Sequence, residues 1–175
     1  DFNVSAEKVY LDLHDVVSEG ELYQERLVKV EKIFVKSKAQ RNLYPNVPDE
    51  KFLIIPNGVD LRYFEREFER DPYLLVNFSS PDRFLESALD ILPEVIKRLP
   101  KDIAKRVKFE WHYGWTVFDS AHTSEKAQEW KVKIMQKFEE LKREGIVEGG
   151  ERVNHAKVAE LNLRAGALIY PSEFY

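Results

Sequence analysis

Cysteine is absent from all 175 residues, which excludes a disulfide frame and any thiolate metal site and makes a cytoplasmic setting the expectation. Glycine is scarce at seven residues, and none of them builds a G-x-G-x-x-G or Walker-type phosphate loop. The G-x-S-x-G nucleophile elbow and the H-E-x-x-H zinc motif are missing too, so hydrolase, P-loop ATPase and classical dehydrogenase readings lose support. An excess of basic residues is also lacking. Lys and Arg total 27 against 31 Asp and Glu, a net charge of -4, which argues against a general nucleic-acid partner. Any anion must therefore be held by a local site. Apolar runs such as Phe52 to Ile55 fall far short of a membrane span. The chain opens at Asp1 with no initiator Met and no signal-peptide core, and it is read as a processed or excised piece.

What is present belongs to a packed protein: 43% of residues are hydrophobic, 33% charged and 13% aromatic. The length suits one domain plus a piece of another. Val9 to Leu13 alternates like a strand and runs into His14-Asp15, after which Glu21 to Val30 is a charged, helix-prone stretch. Ile33 to Val35 is a short strand, Ser37 a helix cap, and Lys38 to Leu43 one or two helical turns ended before Pro45. Phe52 to Ile55 is a third strand closed by the turn sequence Pro56-Asn57-Gly58. The boundary is expected at residues 45–51, giving domains 1–50 and 51–175.

From Pro72 onward the order is strand 74–78, helix 85–99, strand 107–113, helix 125–144, strand 146–147, helix 155–165 and strand 167–170. Such alternation implies parallel βαβ units, a Rossmann-like sheet with flanking helices. Leu85, Ala88, Leu89, Leu92, Val95, Ile96 and Leu99 form one apolar stripe at helical spacing. Gly145 cuts the 125–144 helix.

In open α/β sheets ligands sit outside the carboxyl ends of the strands, which narrows the search to four loops. Ser79-Ser80-Pro81-Asp82-Arg83 leads straight into a helix whose free N–H groups suit a phosphate, with two hydroxyls and a guanidinium beside it. The plainer alternative is that Ser80 or Asp82 only caps the helix. In His112-Tyr113-Gly114-Trp115 the glycine lets the backbone approach a ligand, while Trp115 suits core packing. Gly149-Gly150-Glu151-Arg152 is a turn whose backbone could read a nucleobase edge or simply reverse the chain. His14 and Asp15 could be an acid/base pair, a phosphate contact or structural residues. Asp12-Leu13-His14-Asp15 makes no metal site, because alternation sends residues 12 and 14 to one face and 15 to the other, with no fourth ligand.

Phe34-Val35-Lys36-Ser37-Lys38, followed by Phe52-Leu53-Ile54-Ile55-Pro56-Asn57-Gly58-Val59-Asp60, resembles the interdomain passage of retaining glycosyltransferases of family four. The likeness continues in order through Ser79 to Arg83, Trp111 to Trp115 and Tyr170-Pro171-Ser172, and so covers nearly the whole chain. It implies the glycosyltransferase B fold, with the end of an acceptor-side domain followed by a truncated donor domain. It also implies transfer of a hexose from a nucleoside diphosphate sugar, with retention, without a metal or other cofactor, in glycan or cell-envelope synthesis. Arg83 matches the basic residue that offsets charge on the diphosphate, and His14 matches the acceptor-domain histidine near the reacting sugar. Asn57, Gly58 and Asp60 would shape the hinge. Gly149, Gly150, Arg152 and Val153 would border the base, and Gly114 would lie against the donor.

Phe84 stands where the family motif has glycine, and a second basic residue before Arg83 is absent, leaving Ser79 and Ser80 as neutral donors. The family's two donor-site glutamates fall beyond Tyr175, with Glu173 out of register. This chain alone is therefore expected to be inactive. The expected partners are the nucleotide-sugar donor and a glycan, lipid or protein acceptor, with room for peripheral membrane association of the intact protein and for dimerisation at the truncated sheet edge. The rival expectations are a non-catalytic nucleotide-binding module of the same fold and a sugar-nucleotide epimerase.

Overall fold

The structure, a computed structural model, describes residues 6–22 and 24–170. The chain divides into two compact units, Asp1–Val59 and Asp60–Tyr175. In the first, β1 (Val9–Asp12), a 3-10 turn (Glu19–Leu22), α1 (Gln24–Leu27), β2 (Val30–Val35), α2 (Lys38–Asn42) and β3 (Phe52–Ile54) follow one another. The three strands form a parallel sheet in the order β1-β2-β3. Val30, Ile33 and Val35 turn inward onto Leu13, Leu22, Leu27, Tyr44, Val47 and Phe52. Ser37 caps α2 as expected, its Oγ accepting from the Gln40 N–H at 3.1 Å.

Three expectations for this unit are corrected. Glu21 to Val30 is not one helix but the end of a 3-10 turn, the single turn α1 and the first residue of β2. Its buried residues Leu22, Leu27 and Val30 do not repeat at helical spacing, and Val30 pairs with Val9 in the sheet. The boundary falls between Val59 and Asp60, not after residue 50, because Phe52, Leu53 and Ile54 pair with Ile33, Phe34 and Val35. Pro56-Asn57-Gly58 forms no turn; residues 55–60 run on without regular structure, and Gly58 does not adopt a positive φ.

The second unit holds β4 (Asp71–Asn77), α3 (Pro81–Arg98), α4 (Lys101–Ala104), β5 (Lys108–Trp111), α5 (Thr116–Ala121), α6 (Glu125–Arg143), β6 (Val147–Gly149), α7 (His155–Arg164) and β7 (Ala165–Leu168). Its sheet is parallel throughout, in the order β6-β5-β4-β7. Leu85, Ala88, Leu89 and Leu92 of the α3 stripe pack with Phe109, Trp111, Ile134, Phe138, Leu141 and Val147 on one face, whereas Ile96 and Leu99 are half-buried and Val95 is exposed. Leu74 and Val76 point the other way, onto Leu161 of α7 and Ala165. Alternation along β4 therefore makes three layers.

α6 ends in a Schellman motif. Gly145, at φ 74°, donates to Lys142 O at 3.0 Å, and Ile146 donates to Leu141 O at 3.0 Å. The short α4 and α5 were not expected; α5 turns one aromatic, Phe118, into the core. The strand expected at 146–147 extends to Gly149 instead. No helix among the described residues is long and apolar enough to cross a membrane.

Candidate functional site

From β4 the chain builds β5 and β6 on one side, then returns through α7 to place β7 on the other. The order of strands thus reverses between β4 and β7. At such a point the loops leaving two neighbouring strands part to opposite sides and open a crevice at their carboxyl ends. Here the crevice is bordered by Ser79 to Arg83 after β4 and by Ile169 and Tyr170 after β7.

Arg83 sits in the first turn of α3, and its Nη1 donates to the Tyr170 hydroxyl at 3.1 Å. That hydrogen bond, ahead of the cost of partial burial, raises the Arg83 pKa above its ordinary value, so the guanidinium is fully charged. Pro81 occupies the first helical turn, where a missing N–H costs nothing. Ser80 is the N-cap residue, yet its side chain makes no capping bond and is hydrogen-bonded to Asp82 instead. The capping alternative for Ser80 does not hold. The helix end carries both a cation, Arg83, and an anion, Asp82, and lacks a side-chain cap.

The loop is held from beneath by Asn77, which is only 2% exposed. Its Nδ2 donates to Ile169 O at 2.7 Å, and its Oδ1 accepts from Ser79 N at 2.9 Å and Ser79 Oγ at 2.8 Å. One amide thus ties the ends of β4 and β7 together. Trp111 Nε1 donates to Ser79 O at 3.0 Å, so Ser79 has its N–H, hydroxyl and carbonyl all engaged. Ser79 is therefore a buried part of the loop's frame, and the free neutral donor expected of it is not offered. Asn77 escapes a reading by motif, and Trp111 and Tyr170 lie in the family-like segments, which imply no role for either. The available signal is a single amide in the apolar run Leu74 to Phe78, next to a hydroxyl pair.

The loops after β5 and β6 meet at the same end of the sheet. Gly149, at φ 87°, fits so closely that a Cβ there would strike the Trp111 carbonyl oxygen and lie 2.7 Å from His112 Cε1. Gly150, at φ 106°, donates to Trp111 O at 2.8 Å. A Cβ on Gly114 would come within 3.2 Å of the Arg152 nitrogen, so Gly114 and Arg152 are brought together, with Val153 following. These glycines serve close backbone approach, and Gly149 belongs to the strand itself. His112 is buried, with Nε2 3.0 Å from Glu110 Oε2 and Nδ1 without a hydrogen-bond partner. The hydrogen bond to His112 holds the Glu110 carboxyl below its usual value despite burial.

In the first unit, His14 follows β1 on the surface, its Nε2 3.1 Å from Asp12 Oδ2. Asp12 Oδ1 accepts from Lys36 Nζ at 2.6 Å. Beneath, Gln40 Nε2 donates to Leu13 O and Asp15 O at 3.3 and 3.2 Å, which fixes the loop backbone. Asp60 caps the 3-10 turn Leu61–Phe64, accepting from the Arg62 N–H at 3.1 Å. Asn57 and Gly58 lie in the irregular stretch before it. Pro171, Ser172 and Glu173 lie outside the described residues.

No family model and no curated protein matches the chain. Among solved structures, it is similar to HepE of Anabaena in complex with UDP and glucose, with a TM-score of 0.62 and 14% identity over 93% of this chain and 46% of that one. It is also similar to an S. aureus TarM mutant in complex with Fondaparinux, alpha-GlcNAc-glycerol and UDP, with a TM-score of 0.48 and 18% identity over 74% of this chain and 23% of that one. The chain thus spans less than half the length of the solved structures it matches. The likeness to HepE bears out the expected fold class: Rossmann-like parallel sheets with flanking helices, as in glycosyltransferases of the B fold.

Proposed function

We propose that this chain carries the nucleotide-sugar half, and the end of the acceptor half, of a retaining, metal-independent hexosyltransferase. The observation that carries the reading is the Arg83 guanidinium, held beside Tyr170 at the point where the strand order reverses. Further support comes from the UDP and glucose in the HepE complex, a structure that shares this fold. In the reaction, the bond between the anomeric carbon and the diphosphate oxygen breaks, and its electron pair leaves with the phosphate. A fixed cation at the open end of α3 would oppose that growing charge, as preorganised electrostatics requires. Asn77 and Trp111 keep the loop from having to reorganise as the charge develops. Gly114, Gly149, Gly150, Arg152 and Val153 would border the nucleoside, and His14 would serve the sugar end of the reaction from the first unit. The intact enzyme would act in glycan or cell-envelope assembly, in the cytoplasm.

Calorimetric titration of the chain with UDP, GDP and their sugar conjugates tests this, repeated on Arg83→Ala. One diphosphate should bind, and the substitution should weaken it by about 1.5 to 3 kcal/mol, the range for a hydrogen bond to a charged group. Binding that survives the substitution unchanged would move the diphosphate away from this loop. Failure of every nucleotide to bind would remove the donor-half assignment.

A further inference from the structure

A groove of about 370 Å³ runs between the first turns of α3, the end of α5 and the start of α6. Its apolar wall is a pile of three rings. His122 stacks on Phe118 at 4.5 Å and 30°, and Phe118 lies 5.3 Å from Trp130 at 34°. The indole is fixed in place, because Trp130 Nε1 donates to Glu86 Oε2 at 2.7 Å. Polar residues line the rest: Glu86, Asp82, Ser124 and Lys126. Asp82 Oδ2 is 3.7 Å from His122 Nε2.

The chemistry of this lining selects among ligands. Two carboxylates against one ammonium leave no excess of positive charge in the lining to select a phosphate or a nucleotide. A cationic ligand would meet the groove's own Lys126, and His122 already lies 3.7 Å from Asp82. What remains is a neutral molecule with a flat C–H face to lie against His122 and Trp130, the outer rings of the pile, and hydroxyls at its edge to pair with carboxylate, imidazole and amine. Carboxylate oxygens accept from hydroxyls, and an ammonium donates to them, so both halves of a hydroxyl can be satisfied. A pyranose ring has this character, and the groove's size falls within the ~300 to 1,000 Å³ of small-molecule sites.

We propose that this groove binds a neutral saccharide unit, at a site separate from the diphosphate loop. The groove shares one residue with the donor loop, Asp82, which also meets Ser80, and the two sites are otherwise lined by different residues.

Saturation-transfer NMR of the chain with maltotriose, cellotriose and chitotriose, with no nucleotide present, tests the proposal. At least one should receive transfer at its ring C–H protons. Glu86→Gln and His122→Ala should each weaken binding by about tenfold or more, the loss expected of one hydrogen bond to a charged group. Lys126→Ala, at an exposed position that leaves the rings untouched, should weaken it as well and guards against a folding defect in the other two. Arg83→Ala should leave saccharide binding unchanged. No transfer to any of the three sugars would overturn the proposal, as would transfer that persists in all three groove variants. Transfer abolished by Arg83→Ala would place the sugar in the donor crevice instead, and would equally overturn it.

Discussion

Each unit ends a strand with a loop clamped by one buried amide, yet the two loops present different chemistry. Asn77 joins two strands 92 residues apart and takes both donors of Ser79, at distances of 2.7 to 2.9 Å. Gln40 reaches two carbonyls at 3.2 and 3.3 Å and accepts from Lys36 N at 2.7 Å. Over the first clamp stands Arg83, hydrogen-bonded to Tyr170; over the second stands His14, in solvent beside Asp12. The difference teaches where preorganised electrostatics can be stored. Both pairs stand at the surface and are screened by salt, so what separates the loops is the frame beneath, where the buried and fully satisfied amide of Asn77 fixes the backbone from which Arg83 extends.

The frame of the donor loop should break most severely at Gly149. An alanine there must adopt φ 87° and push its Cβ against the Trp111 carbonyl and the His112 ring. We expect a loss of about 3 kcal/mol, from ~1–2 for the left-handed backbone and ~1–3 for overpacking. Urea denaturation measures it. A loss below about 1 kcal/mol would mean that the strand end yields easily and that the loop is not rigidly framed.

Asn77→Ala leaves two donors and a carbonyl unsatisfied and should cost about 2 kcal/mol, while Gln40→Ala, with longer bonds, should cost about 1. The two substitutions should differ in a second way. Asn77→Ala should weaken diphosphate binding together with stability, since it frees Ser79, but Gln40→Ala should leave diphosphate binding in the second unit unchanged. Equal effects on binding would dissolve the contrast between the two loops.

Much of this organisation was legible in the residues. The α3 stripe from Leu85 to Leu92, the cap at Ser37, the Gly145 stop and the alternation of strands and helices each depend on neighbours a few positions apart, and each holds in the structure; Val95, also read into the stripe, is exposed. The site loops followed from the strand ends. What escaped depends on distant partners. Asn77 reads as an ordinary polar residue until Ile169 arrives beside it. The demand for glycine at 149 comes from Trp111 on the neighbouring strand, and the grouping of β3 with the first unit comes from its pairing with β2. The helix read over Glu21 to Val30 had favourable propensity, but sheet pairing at Val30 overrode it.

The smallest effect, and the one that examines the surface loop most directly, concerns Asp12. Its carboxyl is held below its usual value of 3.8, chiefly by the hydrogen bond from Lys36, against a desolvation cost and with the charge of His14 assisting. Because the folded value is the lower one, the contribution to stability is present above about 3.8 and disappears as the pH falls through the folded pKa. Carboxyl-detected NMR titration should therefore place Asp12 below 3.8 in the wild type. Lys36→Met should raise it towards that value by more than His14→Ala does, since the hydrogen bond from Lys36 is the largest influence on Asp12 and that from His14 the smallest. At neutral pH Lys36→Met should lower the urea midpoint slightly, and by more than His14→Ala does. If His14→Ala produced the larger shift, the histidine would be the principal partner of Asp12, and the β1 loop would have to be counted as an ordered electrostatic site like its counterpart after β4.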